Sequence, residues 1–147
     1  MALKARDLMT SEPAFCTPET PLDQVAKLMV RYNCGEIPVI DPAERPVGVV
    51  TDRDIVCRVV AEGKNPLAYP AETCMSSPVV TVDEDAPVDR VVAVMEQHQI
   101  RRVPVVSSDG RCVGIISQAD VALAGSKGDV AGLLREVSRD SAGKEPN

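Results

Sequence analysis

The sequence predicts a mixed α/β fold (α+β) built from two copies of one β-α-β-β-α unit. An internal repeat is the first indication, because residues 21–55 match residues 87–121 after a shift of 66 positions without a gap. Within each copy, apolar runs and amphipathic segments alternate in the order strand, helix, strand, strand, helix. Each copy has only about 60 residues, so a core of its own would stabilise it only marginally, and we expect the copies to pack together.

The first strand of each copy is short, and it leads into a helix that starts near a proline. These strands are predicted over residues 14–16 and 79–82, and only here do the copies need a one-residue insertion to stay aligned. Pro21 and Pro87 suit the first helical position, and Thr20 is placed to cap the first helix.

Each helix carries one apolar stripe, which predicts the face that packs on the core. The stripe residues are Leu22, Val25, Ala26 and Met29 in the first copy, and Val88, Val91, Val92 and Met95 in the second.

Two apolar runs joined by turn residues follow each helix and predict a hairpin, and hence a small three-stranded sheet with helices on one face. The runs cover residues 37–40 and 47–50 in the first copy, and residues 103–106 and 113–116 in the second. Pro38 and Pro104 lie within these runs. Because proline cannot donate to the ladder, they predict an edge strand or the first position of a strand.

The domain boundaries follow from the repeat. The copies are predicted over residues 6–63 and 73–125, with a Pro- and Gly-containing linker over residues 64–72. Residues 126–147 are predicted as a C-terminal helix and tail. One face of that helix is apolar and suited to docking, through Val130, Leu133, Leu134 and Val137.

Composition narrows the class of function. The net charge of −6, the pI near 4.8 and the aromatic content of 2% oppose nucleic-acid binding, which requires clustered basic and stacking side chains. No apolar run approaches the roughly 18 residues that would cross a bilayer, so we expect a cytoplasmic protein without membrane association. The five cysteines contain no C-x-x-C pair and are interpreted as reduced thiols, with no disulfide framework and no metal site.

After its last strand, each copy places a hydroxyl residue three positions before an aspartate. These pairs are Thr51 with Asp54 and Ser117 with Asp120. The spacing fits a capping box, which stabilises a helix by about 1 kcal/mol without any ligand. The same groups could instead hold a ligand, because a helix start suits a phosphate and a carboxylate accepts hydrogen bonds from a cis diol. The usual capping-box residue is the longer Glu or Gln, which favours the ligand slightly, and both interpretations remain open.

The two copies resemble a tandem pair of CBS domains. The resemblance rests on the segments GVVTDRDI (48–55) and GIISQADV (114–121) and on the apolar-Pro-Val strand before each, and it covers about residues 6 to 125. It implies two units paired about a pseudo-twofold axis, with a ligand cleft for each copy. It also implies adenosine-nucleotide binding, a regulatory role and a homodimer, as in similar stand-alone bacterial proteins.

The resemblance further implies roles for individual residues. Asp54 and Asp120 would bind ribose hydroxyls, while Thr51 and Ser117 would lie near a phosphate. The base would lie in an aliphatic slot against Ile37 and Pro38 in one copy, and against Val103 and Pro104 in the other.

The phosphate ends of the two clefts are expected to differ. Arg53 has Ala119 as its counterpart, whereas Arg101 and Arg102 stand where the first copy has Gly35 and Glu36. We therefore expect unequal clefts, with arginines of one copy reaching a phosphate held by the other. Thr81, on the first strand of the second copy, completes the set of candidate residues.

Three functions are weighed. The leading one is a sensor of energy status that binds AMP, ADP or ATP, or else NADH or S-adenosylmethionine, and changes its dimer or protein-partner contacts. The second is a ligand-independent scaffold whose signature residues only cap helices. An enzyme is the weakest interpretation, because His98 is the single histidine and no catalytic motif accompanies it.

Overall fold

The computed structural model describes residues 3–124, and the predicted C-terminal helix and tail (126–147) lie outside them. The described chain divides into two compact units of helices and strands. The first-repeat unit contains residues 14–79 and 110–112, and the second-repeat unit contains residues 3–13, 80–109 and 113–124. The α/β class predicted from the sequence is confirmed.

The first-repeat unit is built on an antiparallel hairpin. Its strands are β2 (Glu36–Ile40) and β3 (Pro46–Thr51), and helix α2 (Leu22–Tyr32) precedes them. Single bridges extend the hairpin on both sides, with Cys16 parallel to Val39 and Ser76 antiparallel to Val49. The remaining elements are helix α3 (Asp52–Ile55), a wide helical turn (Val56–Val60) and the short 3₁₀ helices Pro66–Ala68 and Ala71–Thr73.

The second-repeat unit contains a four-stranded sheet in the order β1-β6-β5-β4. Strand β1 (Thr10–Ser11) is antiparallel to β6 (Cys112–Ser117), and β4 (Val82–Asp83) is parallel to β5 (Arg102–Val106). The helices are α1 (Ala5–Leu8), α4 (Val88–His98) and α5 (Gln118–Ala124). Both predicted hairpins are confirmed, but neither sheet has the predicted three strands, because the sheet of the first-repeat unit has two and that of the second-repeat unit has a fourth.

The fourth strand comes from a segment that precedes the other repeat. Residues 3–11 belong to the second-repeat unit, and the equivalent residues 69–77 belong to the first-repeat unit. In both units the segment accepts a hydrogen bond from the start of a helix, from Leu22 N to Tyr69 O at 2.9 Å and from Val88 N to Leu3 O at 3.1 Å. These bonds satisfy backbone donors that a helix start leaves without intrahelical partners. The compact units therefore do not follow the order of the repeats, and the boundaries 6–63, 64–72 and 73–125 stay a prediction.

Strand pairing shows that the repeat keeps one register throughout. Cys16 pairs with Val39, and Val82 pairs with Val105, so both partners are shifted by the same 66 positions. The one-residue insertion predicted before the helices is therefore wrong. The counterpart of Thr81 is Phe15.

The helices begin one residue later than predicted. Pro21 has φ −60° and ψ 144°, an extended conformation, so it flanks α2 instead of opening it, and Pro87 flanks α4 in the same way. The Thr20 hydroxyl accepts a hydrogen bond from Thr17 N at 2.9 Å. The predicted capping role of Thr20 is therefore wrong, because its hydroxyl is used in the preceding turn.

The prolines of the hairpins lie inside their strands. Pro38 is the third residue of β2 and Pro104 the third of β5, and β5 has neighbours on both sides. The expectation of an edge strand or first position is therefore wrong for Pro104, whereas Pro38 does lie in an edge strand, because β2 belongs to a two-stranded sheet. Proline is tolerated at Pro104 because β4 pairs with β5 only from Val105 onward, so no donor is needed there.

Each unit has its own apolar core. The predicted helix stripes face these cores, and only Ala26 among the eight stripe residues is half-buried instead of buried. Burying one such Val or Leu side chain contributes about 1.5–3 kcal/mol. Among residues 3–124, no helix combines the length and the apolar character that a membrane crossing requires.

Candidate functional site

In the first copy, the signature hydroxyl and carboxylate bond to each other's backbone. Thr51 ends β3 in an extended conformation, and its Oγ1 accepts a hydrogen bond from Asp54 N at 3.0 Å. Asp54 Oδ2 in return accepts from Thr51 N at 2.9 Å. This is a complete capping box, and it satisfies two of the backbone donors at the start of α3.

The second copy repeats this arrangement at the junction of β6 and α5. Ser117 N donates to Asp120 Oδ2 at 2.8 Å, and Asp120 N donates to Ser117 Oγ at 3.1 Å. The capping interpretation is thus confirmed in both copies. The slight preference for a ligand that was drawn from the short aspartate side chain is therefore not supported, because the turn brings the amide within normal hydrogen-bond distance of that side chain.

The capping box does not use up the carboxylate of Asp54. It occupies Oδ2, while Oδ1 lies 3.8 Å from Arg58 Nε. The Asp54 side chain remains 13% exposed, so solvent reaches part of it. An ionised carboxylate offers about four acceptor positions on its two oxygens. The cap and a ligand are therefore compatible at the same residue.

Backbone bonds tie the start of each hairpin to its capping turn. Asp52 N donates to Gly35 O at 2.9 Å, and Gln118 N donates to Arg101 O at 2.7 Å. In the first copy, Glu36 is also paired with Thr51 across the hairpin. The structure therefore brings Gly35 and Glu36 to the capping turn of their own copy, and it brings Arg101 to the turn of the second.

A scan against protein families gives the family of the chain. The family model described as CBS domain matches residues 5–61 and 71–127. The chain belongs to the CBS domain family. Both matches begin in the segments that precede the predicted copies, at the two equivalent alanines Ala5 and Ala71, which are fully buried.

Curated relatives include proteins of about the same length. The uncharacterized protein YlbB of Bacillus subtilis is 38% identical over 137 residues, which cover 92% of this chain and 91% of that protein. The uncharacterized protein MK0525 of Methanopyrus kandleri is 36% identical over 79% of this chain, which spans only 57% of that relative.

Solved structures share the fold of this CBS chain. Hypoxic Response Protein I, whose crystal structure has two coordinated zinc ions, aligns with a TM-score of 0.77 at 35% identity, over 82% of this chain and 98% of that one. The CBS domain pair of protein MJ0100, in complex with 5-methylthioadenosine and S-adenosyl-L-methionine, has a TM-score of 0.76 at 29% identity, over 86% and 100%. CBSX2 in complex with AMP has a TM-score of 0.72 at 25% identity, over 83% and 95%.

The residues expected to form the base slot of this CBS chain lie in the interior. Ile37 and Val103 are 0% exposed and belong to the cores of their own units. Pro38 and Pro104 are also buried. An aliphatic contact with a base therefore stays a prediction.

The arginines differ in exposure. Arg53 and Arg101 are exposed, whereas Arg102 is half-buried at the start of β5. Thr81 is half-buried and directly precedes β4. The expected contribution of arginines from one copy to a phosphate in the other stays a prediction. Within the described part of the chain, no group of three His, Cys, Asp or Glu side chains is arranged to hold a metal ion.

Arg58, which is not among the residues predicted from the sequence, adjoins the signature carboxylate of the first copy. Besides its proximity to Asp54, its Nη1 donates to Cys74 O at 3.4 Å. Burial raises the pKa of the Cys74 thiol, and the Asp54 carboxylate raises it further while Arg58 opposes this, so both charges lie near that thiol. The signal was present in the sequence, because Asp and Arg four positions apart meet on one helix face.

Cys16 is expected to resist alkylation in the folded protein. Burial, with a further contribution from Cys74, raises the pKa of the Cys16 thiol to about 12, so at pH 8 the reactive thiolate is scarce. Cys57 is exposed and serves as the internal comparison. Iodoacetamide treatment at pH 8 followed by mass spectrometry should label Cys57 and spare Cys16 until denaturant is added. Equal labelling rates in the native protein would contradict this burial.

Proposed function

We propose that this chain is a regulatory CBS module that binds an adenine nucleotide or another adenosyl compound at its two capping turns. The main support for this proposal is that the same turn occurs in both copies and leaves one oxygen of each aspartate outside the capping bonds. Each capping bond takes one of the two carboxylate oxygens of Asp54 or Asp120. The second oxygen is a suitable acceptor for the hydroxyls of a cis diol.

The hydroxyls of Thr51 and Ser117 support the same ligand. Each oxygen accepts a backbone amide of the capping box, so each hydroxyl still has its own proton to donate. A phosphate or ribose oxygen is a suitable acceptor for that proton. The turn thus combines an acceptor for a diol with a donor for a neighbouring oxygen. These groups complement the hydroxyls and the phosphate of a ribose phosphate.

Two solved relatives support the choice of an adenosyl ligand. The MJ0100 pair is in complex with 5-methylthioadenosine and S-adenosyl-L-methionine, and CBSX2 is in complex with AMP. These ligands share adenosine and differ in what is attached to it. For this chain we propose recognition of adenosine by the two turns. The choice among AMP, ADP, ATP, NADH and S-adenosylmethionine would then fall to Arg53, Arg101 and Arg102.

The regulatory output is proposed to be a change in contacts. A ligand that binds one conformation better than another shifts the population toward it, and a homodimer or a protein partner would read that shift. Sensing of cellular energy status would follow if AMP and ATP bind with different affinities. No turnover is proposed. A ligand-independent scaffold is the second candidate, favoured by the completeness of both capping boxes without a ligand.

Thermal unfolding of dialysed protein separates the two functions. Adenosine, AMP, ADP, ATP, NADH and S-adenosylmethionine are each added, with guanosine and 2′-deoxyadenosine as matched controls for the base and the diol. A native-state binder at 100 times its Kd stabilises the protein by about 2.7 kcal/mol and raises the melting temperature. We expect adenosine to act more strongly than 2′-deoxyadenosine. If none of the adenosyl compounds shifts the transition, the scaffold is favoured.

A further inference from the structure

The two capping turns differ at one position that no signature marks. Four residues after the aspartate, the first copy has Arg58 and the second has Ala124, the last residue of α5 in the described chain. Residues four apart on a helix are neighbours on its surface, so a side chain at this position can reach the carboxylate. The difference therefore affects the group that would bind a ribose.

Arg58 lies over the oxygen of Asp54 that the cap leaves available. Its Nε is 3.8 Å from Oδ1, whereas Oδ2 is held by Thr51 N at 2.9 Å. A separation of 3.8 Å is an ion pair and exceeds a normal hydrogen bond. A diol hydroxyl bonding to Oδ1 would need to come within about 2.8 Å, and so would have to share or displace the guanidinium.

The guanidinium is held in this position from a second side. Its Nη1 donates to the carbonyl of Cys74, a residue that is 1% exposed and therefore fixed by the core. That bond is long, at 3.4 Å, and the Arg58 side chain is 56% exposed. Arg58 is thus anchored weakly enough to move into solvent, at a modest free-energy cost.

We propose that Arg58 is an internal competitor of the ligand for Asp54, which makes the first-repeat site weaker for an uncharged adenosyl ligand than it would otherwise be. The proposal rests on the function proposed above. In the second copy, Ala124 cannot form such an ion pair. The Asp120 oxygen that the cap does not occupy therefore has no competitor four residues further along the helix. Arg58 is therefore a specificity-determining residue, since it disfavours a diol without an anionic group.

The test compares the two sites one at a time. Asp120→Ala leaves the first site for measurement, and Asp54→Ala leaves the second. Adenosine is the probe, because it carries the diol but no phosphate that would itself attract an arginine. Calorimetric titration then compares Asp120→Ala with and without Arg58→Gln, and Asp54→Ala with and without Ala124→Arg. Arg58→Lys, which keeps a positive charge, is the matched control.

We expect Arg58→Gln to tighten adenosine binding at the first site by about two- to fivefold, the range of exposed ion pairs. Ala124→Arg should weaken binding at the second site by a similar factor, and Arg58→Lys should stay near the parent. High salt should reduce both differences. Because Arg58 is exposed, its variants should fold, and thermal unfolding verifies this for Ala124→Arg. Unchanged or weaker adenosine binding with Arg58→Gln would overturn the competitor role of Arg58 and leave the proposed function standing. No adenosine binding in either background would overturn both proposals.

Discussion

Replacing Gly114 with alanine is expected to destabilise the protein by about 3 kcal/mol, the upper part of the usual range for overpacking. A Cβ at this position would overlap the Met9 side chain and lie 2.9 Å from Thr10 O. Thr10 belongs to β1, which pairs with β6 through Ser11 and Gly114. Because one of the two obstacles is backbone, the added methyl group must push β1 away from the sheet.

Two other glycines provide matched controls for this measurement. Gly48 is the counterpart of Gly114, and its Cβ would lie 2.9 Å from Met75 Sδ and 3.0 Å from Ser76 O. At Gly35 the three atoms nearest to an added Cβ all belong to the Asp52 side chain, from 3.0 Å, and this side chain is exposed and can turn away. Urea unfolding should rank the losses as Gly114→Ala, then Gly48→Ala, then Gly35→Ala. Equal losses of unfolding free energy at all three positions would show that close contact with Thr10 and Ser76 does not set the cost of the added methyl group.

Removing the carboxylates is expected to weaken ligand binding strongly. Asp54→Ala and Asp120→Ala should each reduce the affinity of one site for an adenosyl ligand by about 10- to 150-fold, the value of charge-assisted hydrogen bonds of roughly 1.5–3 kcal/mol. Each also removes half of a capping box, which should lower stability by about 1 kcal/mol. Calorimetry measures the first effect and thermal unfolding the second.

Asparagine separates the ligand role from the cap. In Asp54→Asn the amide oxygen can still accept from Thr51 N, so most of the capping bond should survive. The charge that strengthens a bond to a diol is lost, so affinity at the first site should fall while the melting temperature stays near the parent. Asp120→Asn provides the same comparison in the second copy. Binding of adenosine at parental affinity in both variants would leave the aspartates as caps alone.

The helices, the hairpins and the signature turns could be predicted from the sequence because they depend on residues that are close together in the chain. Helix α2, helix α4 and both hairpins follow from periodicity and turn residues, and the aspartate of each signature does lie at a helix start. The capping box was one of two interpretations of a hydroxyl residue placed three positions before an aspartate. The structure realises it, because a hydrogen bond between residues three apart requires only one turn of backbone.

Other features depend on contacts between distant segments. The need for glycine at Gly114 and Gly48 comes from Met9 and Met75, which lie far from them in the chain. Arg58 could be placed near Asp54 from its spacing, but its contact with the carbonyl of Cys74 could not, because 16 residues separate the two.

The sequence alone predicts the repeat, the alternation of helices and strands and the position of each signature turn, because periodicity and capping act over a few residues. The tertiary structure adds that residues 3–11 complete the sheet of the second-repeat unit, and that Arg58 also donates to the distant carbonyl of Cys74. The physical reason is that strand pairing and side-chain burial join segments whose separation along the chain leaves no local pattern.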